Sequence, residues 1–268
     1  MYVKALVLYL LTWITSAYQQ NPDEGTSATW SSTYFPIEGD VYPLGYYVVT
    51  IDIGSSEKSY ILDVDTGSDV TWIQNSSIYG LVSSYNEKRC GVSIRDGQTI
   101  NSFTDGVLGL GKGKSGILNQ LRNKGVINRN VVGHCLYRRG GGYLILGEFD
   151  FGPISWKQIS SNEERYSLGK ANILLGNETT DIKNLSIIFD SGSTYTYLES
   201  RAYEALFDLV NKTINGSLIV ADDDKILSIC WKDVVGPIQT FANVTNYFLP
   251  VALNFTDDAN PNLILSSV

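Results

Sequence analysis

From residue 42 onward, the chain consists largely of short runs of β-branched and aromatic residues separated by glycines. Residues 45–54 and 60–65 are typical of these runs, and such composition favours β-strands. Residues 131–137 and 143–146 flank three consecutive glycines at 140–142. Glycine accepts the positive φ angles of a tight turn, so this pattern predicts a β-hairpin. The sequence therefore predicts a mostly β protein.

Two segments have the periodicity of helices. The first runs from Ser115, which we predict to be the N-cap, to Gly125 at the C′ position. The second begins near Ser200 and carries an apolar stripe that we expect to pack in the core. This stripe consists of Tyr203, Leu206, Phe207 and Val210.

The N-terminus has the pattern of a secretory signal peptide. An apolar run over residues 5–14 follows Lys4 and precedes the small residues of 15–17, so we expect residues 1–17 to be removed and to lie outside the fold. The run is shorter than the roughly 20 residues of a membrane-spanning helix, which argues against a membrane anchor. Residues 18–40 are rich in Ser, Thr, Gly and Asn and predict an exposed leader or short pro-segment without a core.

Seven Asn-x-Ser/Thr sequons agree with passage through the secretory pathway. The glycosylation candidates are Asn75, Asn177, Asn184, Asn211, Asn215, Asn243 and Asn254. We expect a secreted or secretory-pathway protein, with the cell wall, the apoplast and the vacuole as possible destinations. Three cysteines, Cys90, Cys135 and Cys230, form an odd set, so at least one has no partner within the chain.

The charge and the residue inventory exclude several functions. The net charge of −8 gives no electrostatic attraction to a nucleic-acid backbone, and we expect no nucleic-acid partner. The single histidine, His134, cannot supply a histidine-rich metal site, so no metal is expected. The chemistry must come from other residues.

An internal repeat is the most informative feature of the sequence. Residues 64–72 and 189–197 share one pattern: apolar, Asp, hydroxyl, Gly, Ser, any residue, apolar, Thr, aromatic. The two aspartates are Asp65 and Asp190, and apolar strand residues precede each copy. The repeat predicts two similar β lobes, at 41–152 and 153–268, each presenting one carboxylate on a tight turn.

Paired turns of this kind suit acid–base chemistry. If the turns meet, both carboxylates cannot ionise together, and the pair shares one proton over an acidic pH range. The ionised member can then deprotonate a water molecule while the protonated member donates to a carbonyl oxygen. In the alternative interpretation, each aspartate only caps its own turn. The predicted supporting residues are Thr66, Gly67, Ser68, Ser191, Gly192 and Ser193.

The two motifs resemble the active-site motifs of the pepsin-type aspartic endopeptidases. Residues 106–111 resemble the apolar-glycine strand of that family, and residues 42–47, 131–136 and 229–231 resemble its plant, nepenthesin-like group. The resemblance implies a bilobal fold with a cleft between two β lobes. It also implies a secreted enzyme that hydrolyses peptide bonds at acidic pH, with a peptide or protein substrate and no cofactor.

The sequence departs from the family pattern in two places. Only 33 residues separate Trp72 from Gly106, where the family carries a longer stretch with a flap hairpin, and Tyr85 is the candidate for the flap tyrosine. No apolar-glycine strand follows Phe255, so we expect an incomplete C-terminal lobe and a loosely held second turn. These departures favour an alternative function, that of a truncated, non-catalytic protein that binds peptides or inhibitors.

Overall fold

The computed structural model describes thirteen parts of the chain. They are residues 4–6, 31–40, 44–53, 58–74, 92–95, 103–137, 140–149, 159, 165–214, 218–221, 230–234, 244–255 and 262–265. The chain divides into two compact units. The first unit comprises Ile14–Ser167 and Ile188–Thr194, and the second comprises Met1–Trp13, Leu168–Ile187 and Tyr195–Val268. Both aspartates of the repeat therefore belong to the first unit.

The first unit contains an eight-stranded sheet. Its strands, in chain order, are β2 (Ser32–Asp40), β3 (Tyr46–Ile53), β4 (Lys58–Asp65), β5 (Thr71–Gln74), β6 (Val92–Arg95), β7 (Gly106–Gly109), β8 (Val132–Leu136) and β9 (Gly142–Gly147). Their order across the sheet is β6-β5-β7-β4-β3-β2-β9-β8. Helix α1 spans Ile117–Asn123. The predicted hairpin is confirmed as β8 and β9.

Side chains of β4 alternate between the core and the opposite face of the sheet. Tyr60, Leu62 and Val64 are almost fully buried in the core of the first unit. Because successive residues of a strand point to opposite faces, Asp63 and Asp65 lie on the face away from these three side chains. Asp65 thus lies at the C-terminal end of β4. The buried side chains of the same strand fix β4 against the core.

The apolar-glycine strand β7 lies between the two strands that flank the first aspartate motif. It pairs parallel with β4 and antiparallel with β5. Glycine is required at Gly106, because a Cβ there would lie 2.0 Å from the carbonyl oxygen of Trp72. The segment that resembles the apolar-glycine strand of the family thus forms a strand beside the first motif.

The second unit contains three groups of strands. β10 (Ser167–Leu175) pairs with β11 (Glu178–Thr179), β12 (Leu185–Ile188) and β16 (Val251–Phe255), and β16 also pairs with β17 (Asn262–Leu265). β14 (Leu218–Ala221) pairs with β15 (Cys230–Asp233), and β1 (Lys4–Leu6) pairs with β13 (Thr196–Leu198). These elements and the first sheet confirm the mostly β fold class.

Helix α2 spans Ser200–Thr213 and confirms the second helix prediction. Its buried face contains Tyr203, Leu206 and Val210. Phe207 packs its ring against both Tyr203 and Trp231, at centroid distances of 6.4 and 5.9 Å. Among the described helices, none combines the length and the apolar character needed to cross a bilayer.

Three local predictions need correction. The N-cap of α1 is Gly116 and not Ser115, and no side chain caps this end, although Gly125 has the predicted positive φ of +71°. The expectation that residues 18–40 lack a core is wrong for residues 32–40. These form β2, which pairs with β3 and β9 and buries Ile37 to 3% exposure.

The third correction concerns the N-terminal segment that we expected to lie outside the fold. Residues Lys4–Leu6 form β1 and pair antiparallel with β13, which follows the second aspartate motif. β7 pairs antiparallel with β5 in the same way after the first motif. An edge of the strand that follows the second motif is therefore paired, although the sequence predicted an incomplete lobe around that motif.

Candidate active site

Each aspartate of the repeat is held by its own turn in the same way. In the first turn, the Gly67 amide donates to Oδ1 of Asp65 at 2.7 Å, and the Ser68 hydroxyl donates to Oδ2. In the second turn, the Gly192 amide donates to Oδ1 of Asp190 at 3.0 Å, and the Ser193 hydroxyl donates to Oδ2 at 3.1 Å. Hydrogen bonds to a carboxylate favour its charged form.

Four reciprocal hydrogen bonds join the two turns. The Thr66 hydroxyl accepts from the Ser191 amide at 2.9 Å and donates to the Phe189 carbonyl at 3.2 Å. The Ser191 hydroxyl accepts from the Thr66 amide at 3.0 Å and donates to the Val64 carbonyl at 2.7 Å. Each hydroxyl thus bonds the backbone on both sides of the other turn's aspartate.

The two glycines allow each carboxylate to approach the opposite turn. A Cβ on Gly67 would lie 2.4 Å from Oδ2 of Asp190, and a Cβ on Gly192 would lie 2.6 Å from Cγ of Asp65. Real Cβ atoms do not come this close to a carboxyl group, so any side chain at either position would force the turns apart. The interpretation that each aspartate only caps its own turn does not account for this packing.

The environment of Asp65 favours a shared proton. Burial raises the pKa of Asp65 above its ordinary value, and the charge of Asp190 and a hydrogen bond with Asp190 raise it further. The bonds from Ser68 and Gly67 oppose these effects without cancelling them. Two interacting carboxyl groups cannot both ionise readily, so Asp65 is disposed to keep its proton beside Asp190.

The backbone of the first turn is braced by the segment that follows β7. The Leu110 amide donates to the Asp65 carbonyl at 2.8 Å, and the Gly111 amide donates to the Ser68 carbonyl at 2.9 Å. Within β7, the Gly109 amide donates to the Thr71 hydroxyl at 3.2 Å. The motif is thereby tied to the strand beside it at several points.

Tyr166 connects the segment that follows β7 to the second motif. Its hydroxyl donates to the Leu110 carbonyl at 2.8 Å, and its own carbonyl accepts from the Phe189 amide at 2.8 Å. Sequence reasoning missed this residue, because it lies in no motif. It also missed Thr194, whose hydroxyl donates to the Gly45 carbonyl at 2.8 Å and which occupies the one unrestricted position of the repeat.

The structure brings together the two predicted aspartates and their six predicted supporting residues. Other candidates lie outside the described residues: Tyr85, Cys90, Asn75, Asn215 and Asn243. The sequons Asn177, Asn184 and Asn211 are exposed, whereas Asn254 is half-buried within β16. Among the described side chains, no group of three or more His, Cys, Asp or Glu residues could hold a metal ion.

Comparisons with known proteins agree with this geometry. The profile of the family described as "Eukaryotic aspartyl protease" matches residues 46–95, and that described as "Xylanase inhibitor N-terminal" matches residues 80–148. An aspartic proteinase of Oryza sativa subsp. japonica is 27% identical over 307 residues, which cover 85% of this chain and 75% of that protein. The chain is thus similar to pepsin-type aspartic proteases.

Further relatives and solved structures extend the comparison. Aspartic proteinase 39 of Arabidopsis thaliana is 28% identical over 223 residues, which cover 79% of this chain and 43% of that protein. The crystal structure of the aspartic proteinase from Irpex lacteus matches with a TM-score of 0.64 at 17% identity, covering 88% of this chain and 79% of that one. Basic 7S globulin from soybean matches equally well, with a TM-score of 0.64 at 12% identity and coverage of 89% and 83%. These structures have the pepsin-like fold.

The raised pKa of Asp65 predicts a pH-dependent stability. A carboxyl group whose pKa is higher in the folded than in the unfolded state stabilises the fold below about pH 4, and this contribution is lost as the pH rises through the folded pKa. The variant Asp65→Asn has no such group. We therefore expect its free energy of unfolding, relative to the native protein, to increase as the pH rises from about 3 to about 7.

Chemical denaturation at a series of pH values measures this difference. The matched control is Asp208→Asn, which removes an exposed carboxylate of helix α2 and should leave the pH dependence unchanged. A difference between Asp65→Asn and the native protein that stays constant across the pH series would contradict the pKa assignment.

Proposed function

We propose that the protein is an aspartic-type endopeptidase that hydrolyses peptide bonds with a water molecule activated between Asp65 and Asp190. The observation that carries this proposal is the reciprocal bonding of Thr66 and Ser191, which brings two carboxyl groups together with one of them disposed to keep a proton. Kinship with the aspartic proteinases supports the same activity.

The proposed reaction requires one ionised and one protonated aspartate. The ionised carboxylate accepts a proton from the water, whose oxygen attacks the carbonyl carbon of the scissile bond. The protonated carboxyl donates its proton to the carbonyl oxygen, which gives a tetrahedral gem-diol. The carboxyl that took the proton from the water then donates it to the leaving nitrogen, while the other carboxylate accepts a proton from a gem-diol hydroxyl. The C–N bond breaks, two peptides are released, and the dyad again holds one proton. No covalent bond to the enzyme forms.

The residues around the dyad have distinct roles in this scheme. The amides of Gly67 and Gly192 hold Oδ1 of each aspartate, and the hydroxyls of Ser68 and Ser193 hold Oδ2. Donors fixed in this way stabilise a carboxylate without reorganisation during the reaction. We infer activity at acidic pH, because the shared proton is lost as the pH rises and both aspartates then ionise.

We also propose that the protein enters the secretory pathway. The apolar N-terminal segment and the sequons support processing in the secretory pathway, where acidic compartments and the extracellular space would provide a suitable pH. The substrate class is a peptide or protein chain. Lys4–Leu6 pairs with β13 before processing, so removal of the N-terminal segment would leave that strand edge open.

Substitution of either aspartate should abolish activity. We expect Asp65→Asn and Asp190→Asn each to reduce kcat/KM for an unfolded protein substrate at acidic pH by at least about a thousandfold. The two carboxyl groups act as a unit, so loss of either one removes the contribution of both. A statine-type inhibitor, whose hydroxyl mimics the gem-diol, should block the native enzyme. The control Asp208→Asn should retain full activity.

Two outcomes would contradict the proposed mechanism. One is near-native turnover by either dyad variant that still unfolds cooperatively. The other is activity that peaks at neutral pH, resists the statine inhibitor and is stopped by a serine-directed reagent or a chelator.

Secretory processing can be tested on protein expressed in a eukaryotic secretory host. We expect the mature N-terminus near Tyr18 and glycans at the exposed sequons Asn177, Asn184 and Asn211. Asn254 lies in a strand paired on both sides, so we expect no glycan there. N-terminal sequencing and peptide mapping after glycosidase treatment measure both features, and an intact Met1 on an unglycosylated chain would disprove the proposed route.

A further inference from the structure

A third carboxyl group lies on the strand that carries the dyad. Asp63 is two residues before Asp65 on β4, and because side chains of a strand alternate, the two carboxyl groups lie on the same face. The side chains on the opposite face, Leu62 and Val64, belong to the core. The reaction proposed above makes no use of Asp63.

The surroundings of Asp63 are mostly apolar. Its register partners are Val48 on β3 and Val107 on β7, which are only 6% and 9% exposed. The Thr104 hydroxyl donates to Oδ2 at 3.3 Å. Oδ1 is buried and has no hydrogen-bond partner among the described residues. A charged carboxylate in such a place carries a desolvation cost that a single hydroxyl does not offset.

Burial raises the pKa of Asp63, and the charge of Asp65 raises it further, while the bond from Thr104 opposes both effects. Asp63 and Asp65 therefore interact, and ionisation of one disfavours ionisation of the other. The interaction is reciprocal, so a charge on Asp63 acts on the dyad as the dyad acts on Asp63.

Other titratable groups near this face lie on three further segments. β3 contributes Tyr46 and Asp52, and Asp52 accepts a hydrogen bond from the Ser59 hydroxyl. The segment before β7 contributes Asp105, whose carboxylate accepts from the Ile61 amide and whose own amide donates to the Ile61 carbonyl. The second motif contributes Asp190. Compared with these groups, Asp65 on the same strand is the one whose charge acts on Asp63 most directly.

We propose that Asp63 is a positioning residue that acts on the dyad through its charge and sets the upper pH limit of activity. This inference rests on the proposed peptidase function. At low pH, Asp63 is neutral and has no electrostatic effect on the dyad. As the pH rises, the negative charge that Asp63 acquires opposes loss of the proton shared by Asp65 and Asp190, and the active form persists to higher pH.

The experiment compares the native protein with Asp63→Asn, which keeps the shape of the side chain and removes its charge. We expect the basic limb of the kcat/KM profile to shift to lower pH by on the order of one unit, as for carboxylates on alternate residues of one strand, about 7 Å apart. The acidic limb should not move, because Asp63 is already neutral there. The matched control Asp52→Asn removes a carboxylate that is exposed, and its profile should coincide with that of the native protein.

A second measurement does not depend on turnover. Carbon-13 resonances of the aspartate carboxyl groups, assigned with the two dyad variants, report the pH at which the shared proton leaves. We expect this titration to move to lower pH in Asp63→Asn and to stay in place in Asp52→Asn. A variant that only loosened the fold would lower activity at every pH without moving either titration.

The outcomes separate the two proposals. An active native enzyme whose pH profile and carboxyl titrations are the same in Asp63→Asn would overturn the role of Asp63 and leave the peptidase function intact. A native protein without activity, but with a dyad titration that moves in Asp63→Asn, would refute the peptidase function and support the electrostatic coupling. Shifts in both measurements would support both proposals.

Discussion

The reciprocal hydrogen bonding of Thr66 and Ser191 is the interaction on which the rest of the site depends. Each hydroxyl accepts from the amide of the other residue and donates to the carbonyl just before the other aspartate. Four bonds therefore fix the separation of two turns that are distant in sequence. With the turns held together, the carboxyls of Asp65 and Asp190 interact, and the bare backbones of Gly67 and Gly192 leave the space that this approach requires.

The surrounding structure restricts the freedom of the turns. Strand β7 supplies a parallel partner for β4, and the segment after it bonds the backbone of the first turn through Leu110 and Gly111. Tyr166 bonds both Leu110 and Phe189. The segment that holds the first turn is therefore also bonded, through Tyr166, to the residue just before Asp190. Apolar packing of β4 fixes its register, because a slip of one residue would move Leu62 and Val64 out of the core and Asp65 into it.

Sequence reasoning could predict the dyad, because the repeat around Asp65 and Asp190 fixes residue type at eight of nine positions. It could also predict the hairpin and the second helix from periodicity and glycine placement. It could not predict β2, since residues 32–40 are held by pairing with β9, about a hundred residues later in the chain. Tyr166 and Asp63 escaped notice for a related reason: their roles come from contacts with distant backbone or buried neighbours, and neither residue belongs to a motif.

A double-mutant cycle between Thr66 and Ser191 tests the central claim most directly. Thr66→Val and Ser191→Ala each remove one hydroxyl and its two bonds, and either loss lets the turns separate and weakens the bonds that remain. We predict that the combined loss of unfolding free energy differs from the sum of the single losses by at least about 1 kcal/mol. In a control cycle, Thr66→Val with Ser59→Ala, an exposed substitution in the same unit, should be additive. Additivity of Thr66→Val and Ser191→Ala within about 0.5 kcal/mol would contradict the account, because it would mean that the two turns are held independently.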